Sequence, residues 1–266
     1  MESGGTAYYL YCIVPQGRLP HLTEGGIDGR AVFARAVGDL VAVLSEVPIA
    51  DFCGAAAEAR MLDLAWIAPR ACRHEAVIEE VMRQSVVLPA RFATLFQTLA
   101  SLQDFLSPQS ARIASFFLWL GDRQEWAVKG VVDRAHARMV LSAEAQAQAA
   151  KTLTGAAYFR KKRDELSSAK ELNQRLKTIC QEAALELQQA AKGFRERTVV
   201  DPAAGEPPLE VISNWAFVLP PVAEADFRER VGRLNRLHNA MGLGFCLSGP
   251  WPPYSFAPVL ASGEQA

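Results

Sequence analysis

The sequence predicts an α+β protein of two domains, both related to the ferredoxin-like arrangement, the second carrying a long helix or helical hairpin. Three observations carry that expectation. The chain has 266 residues, enough for two separate cores. Short β-prone runs alternate with amphipathic helical stretches along its length. Gly121-Asp122 interrupts the pattern near the middle and sets the expected boundary, with an N-terminal α+β domain at 1–121 and a C-terminal one at 122–266.

The first domain opens on AYYLYCIV at 7–14, aromatic and β-branched, a strand bounded by glycines and Pro15. Residues 17–29 are Gly-rich and polar and read as a loop. Runs at 31–37 and 40–47 flank Gly38-Asp39, which predicts a hairpin with a two-residue turn. Helical spacing follows from 55 to 84. Pro69 splits it into 55–67 and 69–84, with Val77, Ile78, Val81 and Met82 on the buried face. Residues 86–96 (VVLPARFATLF) begin extended, and Pro89 demotes them to an edge or a bulge. A helix over 101–120 is broken or kinked at Pro108.

In the second domain EWAVKGVV at 125–132 alternates as a strand, and 133–151 is helix-prone. A long helix spans about 156–194, with a narrow stripe of Leu172, Leu176, Ile179, Ala183, Leu187 and Ala190, close to a coiled-coil seam. It pairs with 133–151 as an antiparallel hairpin. Short strands at 198–200, 209–219 and 245–248, with a helix at 223–241, complete a β-α-β-β-α-β order.

Composition excludes several function classes. Formal net charge is −1 and half the residues are hydrophobic, so no global basic field recruits nucleic acid or anionic membrane. No basic n-region opens the chain, and no apolar run approaches the ~20 residues of a spanning helix, so a cytoplasmic protein is expected. The five cysteines lack a CxxC pair and read as reduced, mostly buried thiols. The four histidines are scattered, which argues against a metal site. Cys72 and His74 sit two apart on a helix and point about 200° apart, so they do not form a thiol–base pair. No phosphate loop or nucleophile elbow is present, and neither an enzymatic activity nor a cofactor is expected.

Four segments carry a resemblance: YYLYCIV at 8–14; LPARFATLF at 88–96; EWAVKGVV at 125–132 followed by TGAAYFRKKR at 154–163; and WAFVLP at 215–220 with SGPWPPYSF at 248–256. In this order they resemble the gas vesicle protein F/L family over nearly the whole chain. Ala93 stands where the family's Leu-Pro-x-Arg-Phe-Gly-Thr pattern has glycine, which questions any left-handed backbone there. The resemblance implies two ferredoxin-related domains. It also implies an accessory role in nucleating or growing the vesicle shell, with the small hydrophobic shell protein and other accessory proteins as partners and a location at gas vesicles.

The candidate partner-binding residues come from these motifs. In the second segment they are Arg91 and Phe92; in the third, Trp126, Tyr158 and the basic run Arg160, Lys161, Lys162 and Arg163. In the fourth they are Trp215, Pro250, Trp251, Pro252, Pro253 and Tyr254. Each has a structural alternative. The Pro-rich tail either grips an apolar partner or folds back over its own domain with Trp251 closing the core. Arg91 either meets an acidic partner or satisfies an internal pair next to Pro89. The basic run either binds an acidic partner or RNA, or is a solvated helix face, and no RNP-like aromatic pattern accompanies it. The competing function is a regulatory, ligand- or RNA-binding module on the same scaffold.

Overall fold

The computed structural model describes residues 5–17, 20–23, 25–150, 161–199 and 209–260, with the backbone alone at Ala56, 148–150 and 161–168. It is an α+β structure with two antiparallel sheets. The chain divides into two compact units, one of Met1–Asp122 with Trp251–Ala266, the other of Arg123–Pro250. The segment after Pro250 thus belongs with the first unit, although the strand leading into it belongs to the second.

In the first unit, β2 (Val32–Val37) and β3 (Leu40–Pro48) form a hairpin, and β1 (Thr6–Pro15) pairs antiparallel with the other edge of β3. Gly38, at φ 57, supplies the left-handed step of the hairpin turn. The sheet order is β2-β3-β1-β4, where β4 is Leu88–Pro89, and β5 (Leu95–Phe96) also pairs with β1. The stretch expected to begin extended and to break at Pro89 is two short pairings separated by residues 90–94. Pro89 lacks an N–H to donate, and it sits on an edge strand, as its chemistry requires.

The register between β1 and β3 shifts between Leu10 and Cys12. This bulge changes the side-chain alternation. Tyr9 before it, Tyr11 within it, and Cys12 and Val14 after it join one core with Val41, Val43, Val77, Ile78 and Val81.

The helices differ from expectation at one break. They are α1 (Ala55–Arg60) and α2 (Leu64–Met82), so the interruption falls at 61–63 and Pro69 lies inside α2. Asp63 decides the boundary: its carboxylate accepts from the Ala65 N–H at 2.9 Å and caps α2 six residues ahead of Pro69. A proline this near the start removes one N–H of the ladder and is tolerated. α3 (Leu99–Leu106), opened by a Thr98–Ser101 capping box, passes through a 3-10 turn at Ser107–Gln109 into α4 (Ser110–Leu120). That turn is the break expected at Pro108.

The second unit runs β6 (Gln124–Asp133), α5 (Arg134–Ala150), α6 (Lys161–Gln188), β7 (Gly193–Glu196), β8 (Leu209–Leu219), α7 (Glu224–His238) and β9 (Leu243–Trp251). The sheet order is β7-β8-β6-β9, compatible with a split βαβ arrangement. The long helix ends at Gln188 rather than near 194, and its expected first turn at 156–160 lies outside the described residues. Gly193–Glu196 is extended because its backbone pairs with Val218 to Trp215 and Phe194 packs on Phe217, ring centroids 5.2 Å apart. Thr198 and Val199, expected in a strand, are not in one.

The helices cover the sheet with Leu172, Leu176, Ala183 and Leu187 of α6 and Phe227, Val231 and Leu234 of α7. Burying each of the larger side chains stabilises by about 1.5–3 kcal/mol. Leu237 of α7 is exposed, and Met241 from the following 3-10 turn joins the core. α5 and α6 run side by side, joined by Arg175–Glu144 at 2.6 Å. Among the described residues no helix is long and apolar enough to cross a membrane.

Candidate functional site: a buried tyrosine–histidine network

Three of the resemblance-bearing segments converge on one place in the first unit. β1 supplies Tyr9 and α2 supplies His74 and Glu75. The loop after Pro89 supplies the Ala90 carbonyl and the Ala93 N–H, and the C-terminal segment supplies Tyr254.

The proton positions follow from the geometry. The Ala93 N–H donates to Tyr9 Oη at 3.0 Å, so the hydroxyl's own proton is directed to His74 Nδ1, also at 3.0 Å. His74 is then protonated on Nε2, which lies 3.2 Å from the Ala90 carbonyl and 3.3 Å from Tyr254 Oη. Tyr254 donates its proton to Glu75 Oε2 at 2.9 Å. Every donor in the chain has an acceptor.

Burial sets the charge states. It lowers the His74 pKa to about 4, against the Ala90 hydrogen bond, which raises it. The imidazole is therefore neutral near pH 7. Burial pushes the Tyr9 hydroxyl well above its usual range. It does the same to Tyr254, where the Glu75 carboxylate adds to the shift. Glu75 itself is raised by burial, partly countered by the Tyr254 hydrogen bond. A neutral imidazole with both nitrogens engaged has no lone pair left to take a proton from a substrate. The arrangement fastens the tail and the 90–94 loop to β1 and α2.

Aromatic packing surrounds the network. Tyr9 lies 5.5 Å from Phe52 and 6.2 Å from Phe92, and His74 stacks on Tyr11 at 5.7 Å. Tyr11 in turn donates to Ser45 Oγ at 3.1 Å and accepts from the Ile27 N–H at 2.9 Å. Gly26 is required there, since a Cβ would lie 2.2 Å from Tyr11 Oη.

The glycine question at position 93 is resolved by the backbone. Ala93 adopts φ 63, the left-handed region, despite its side chain. The loop needs that conformation to aim its N–H at Tyr9, and the alanine carries a strain of roughly 1–2 kcal/mol.

The candidate residues divide into three groups. Trp126 and Trp215 are core residues of the second unit. The Arg228 guanidinium lies 4.7 Å from the Trp126 ring centroid, and Gly249 passes so close that a Cβ would sit 3.1 Å from Trp126 Cε3. Trp215 stacks on Phe245 at 5.9 Å.

In the tail, Pro252 and Pro253 are buried, while Pro250 and Trp251 are exposed, and β9 continues through Pro250 to Trp251. One of the two readings of the tail seated Trp251 in the core of its own domain. Instead Trp251 is the exposed end of β9, and Pro252, Pro253 and Tyr254 carry the packing. Phe92 is half-buried against the aromatic cluster; Arg91 is exposed, its carbonyl accepting from the Thr94 N–H and hydroxyl and its guanidinium making no hydrogen bond or ion pair to a described residue. The internal pair expected for Arg91 is absent among those residues.

Tyr158 and Arg160 lie outside the described residues. Lys161, Lys162 and Arg163 open α6, with their side chains outside the description.

Sequence reasoning did not single out Tyr9 or the peptide groups of 90 and 93. The signal available was a pair of polar-tipped aromatics, Tyr9 and Tyr11, on one face of an otherwise apolar strand. The cysteines also differ from expectation: all five are free, but Cys53, Cys72 and Cys246 are exposed. Among the described residues no group of His, Cys, Asp and Glu is arranged to hold a metal ion.

Comparison with known proteins gives concordant matches. A family model described as gas vesicle synthesis protein GvpL/GvpF matches residues 7–258. The chain is 30% identical over 254 residues to a gas vesicle protein L from Streptomyces sp. (strain CB03234), covering 94% of this chain and 92% of that protein. The fold is similar to the crystal structure of gas vesicle protein GvpF from Anabaena sp. PCC7120, with TM-score 0.73 and 20% identity over 98% of this chain and 100% of the other. The GvpF structure from Microcystis aeruginosa gives TM-score 0.67 and 21% identity over 95% and 99%.

Proposed function

Because the chain belongs to the GvpL/GvpF family of gas vesicle synthesis proteins, we propose that it is a non-enzymatic assembly factor that binds the small hydrophobic shell subunit and supports nucleation or growth of the vesicle. The observation that carries this reading is the family match along nearly the whole chain. It is supported by the way the motif residues are used. Tyr9, His74 and Tyr254 spend their hydrogen-bonding capacity on one another, and Trp126 and Trp215 spend their surface on the core. The proposed mechanism is shielding, in which accessible apolar surface covers a β-rich subunit until it joins the growing edge. Leu62, Leu64, Leu118 and Val259 in the first unit and Val222 and Leu237 in the second are exposed apolar side chains available for it. The protein then acts in the cytoplasm, at gas vesicles, alongside other accessory proteins.

The test is direct binding between the purified protein and the shell subunit, measured in a pull-down and by a fluorescence titration. Saturable binding to the monomer or to the edge of a growing assembly is the expected result. Absence of binding to both, or turnover of a substrate by the purified protein, overturns the proposal.

A further inference from the structure

The loop between β4 and β5 is pinned along its length. The Ala90 N–H donates to the Tyr11 carbonyl at 2.9 Å, and the Leu10 N–H donates to the Thr94 carbonyl at 2.9 Å. Between these ends the Thr94 N–H and hydroxyl both donate to the Arg91 carbonyl, at 3.2 and 2.6 Å, and close a turn. The Ala90 carbonyl and the Ala93 N–H are taken up by His74 and Tyr9. Ala93 is held at φ 63, a conformation that a residue with a side chain keeps only where its surroundings fix it. The main chain of 90–94 is thus tied to the fold on both sides of Arg91.

The Arg91 side chain is the exception. It is exposed, and its guanidinium makes no hydrogen bond or ion pair to a described residue. The residue after it begins an aromatic row. Phe92 is half-buried and lies 6.4 Å from Phe52, which lies 5.6 Å from the half-buried Trp66. The exposed Leu62 and Leu64 stand just before Trp66 in the chain. The carboxylates beside this row already have partners: Asp51 pairs with Arg60 at 3.1 Å, Asp28 pairs with Arg70 at 2.8 Å, and Asp63 caps α2. The Arg70 guanidinium is itself seated 4.1 Å from the Trp66 ring centroid. Arg91 is therefore a cation on a fixed turn at one end of an apolar row, and none of these carboxylates is left for it.

We infer that Arg91 anchors a carboxylate side chain of the protein partner, with apolar neighbours of that carboxylate lying against Phe92. The occupant follows from the donors on offer. A guanidinium presents a planar fork that matches the two oxygens of an Asp or Glu. A phosphate group is held best where several N–H groups converge, and here the Ala93 and Thr94 N–H groups are spent inside the loop. A purely aliphatic partner surface would strip water from the guanidinium and give it nothing in return. Rigidity completes the argument. An arginine on a flexible loop adds little to an ion pair, because holding it in one geometry costs entropy. A turn that is already fixed loses little freedom on binding, so more of the pair's strength remains as affinity.

The inference rests on the reading that the chain binds the shell subunit, so that subunit is the probe, in a fluorescence titration with the full chain. Arg91→Gln is expected to weaken binding at least tenfold, and Arg91→Glu further. Arg35→Gln removes the same charge from an exposed position on β2 and is expected to leave binding unchanged. The melting temperature of the Arg91 variants is expected to stay within a few degrees of the parent, which separates loss of binding from loss of fold. Each Asp and Glu of the subunit is then replaced by Lys in turn. One of these variants is expected to bind Arg91→Glu more tightly than the parent subunit does. If Arg91→Gln binds the subunit as tightly as Arg35→Gln, the inference is overturned and the assembly role stands. If no Lys variant restores binding to Arg91→Glu, the carboxylate assignment is overturned. If the unmodified protein does not bind the subunit, both the inference and the assembly role fall.

Discussion

The replacement Tyr9→Phe removes one oxygen from the centre of the first unit and leaves the ring in place. Two groups lose their partner, the Ala93 N–H and His74 Nδ1, each held at 3.0 Å. A buried donor or acceptor left unsatisfied costs about 1–3 kcal/mol, so the two together cost roughly 2–6. Phenylalanine no longer buries a hydroxyl, which returns about 1–3 kcal/mol. The net expectation is a destabilisation of about 2–3 kcal/mol. Tyr8→Phe is the control on the same strand. Its neighbour, Phe33, packs edge-on at 6.4 Å against the ring, which the substitution keeps, and the expected change is within about 0.5 kcal/mol. Equilibrium urea unfolding followed by tryptophan fluorescence compares the two. Trp66, Trp119 and Trp251 report from the first unit, Trp126 and Trp215 from the second, so the shift is expected in the transition seen by the first-unit reporters. If Tyr9→Phe and Tyr8→Phe unfold at the same urea concentration, the network does not hold the fold together and the structural role assigned to His74 is wrong.

Three further outcomes are expected. Ala93→Gly relieves the φ 63 strain and stabilises by about 0.5–1 kcal/mol after glycine's own entropic cost, read as a higher melting temperature. Gly249→Ala is strained twice, by φ 130 and by a Cβ 3.1 Å from both the Glu125 carbonyl oxygen and Trp126 Cε3, and lowers stability by about 2 kcal/mol or more in the same assay. Stability falls with acid because burial lowers the His74 pKa from 6.5 to about 4 in the folded state, so that the unfolded chain binds the extra proton between those values. At ~1.4 kcal/mol per unit the loss approaches ~3 kcal/mol by pH 4. The raised carboxyl of Glu75 works in the opposite sense, returning stability as pH falls, and reduces that slope. A His74→Gln variant whose stability varies with pH as steeply as the parent's would contradict the assignment.

The elements with a clean local signal were legible. The hairpin of β2 and β3 was fixed by two β-prone runs around Gly38-Asp39, β8 by an unbroken apolar-rich run ended by Pro220-Pro221, and the buried face of α2 by its spacing. Where two local signals competed, the weaker-looking one won: Asp63 set the start of α2 although Pro69 is the more conspicuous breaker. β7 was misplaced because its four residues have no strand periodicity of their own and are extended by pairing with β8. The network was not legible at all. Its members sit at positions 9, 74, 75, 90, 93 and 254, two contribute only peptide groups, and nothing in their spacing brings them together.

That convergence changes what the motifs mean. Tyr9 of the opening strand, Ala93 of LPARFATLF and Tyr254 of GPWPPYSF form parts of one hydrogen-bonded chain. Gly249 of the last segment and Trp126 of the third are similarly a matched pair, one shaped to pass over the other. The string that looked most like a recognition peptide is thus largely consumed by the fold: Pro252 and Pro253 are buried and Tyr254 is bound at its hydroxyl. A residue whose contacts are internal can be lost only at the expense of stability. A surface that serves a partner is released from that constraint and follows the partner instead. The buried motif residues therefore serve the packing that makes this fold, and we propose that a partner site uses surface outside them, such as the exposed leucines at 62, 64 and 118. Substitutions confined to those surfaces should impair vesicle assembly while leaving the melting temperature within a few degrees of the parent. Substitutions at the buried motif residues should lower both together.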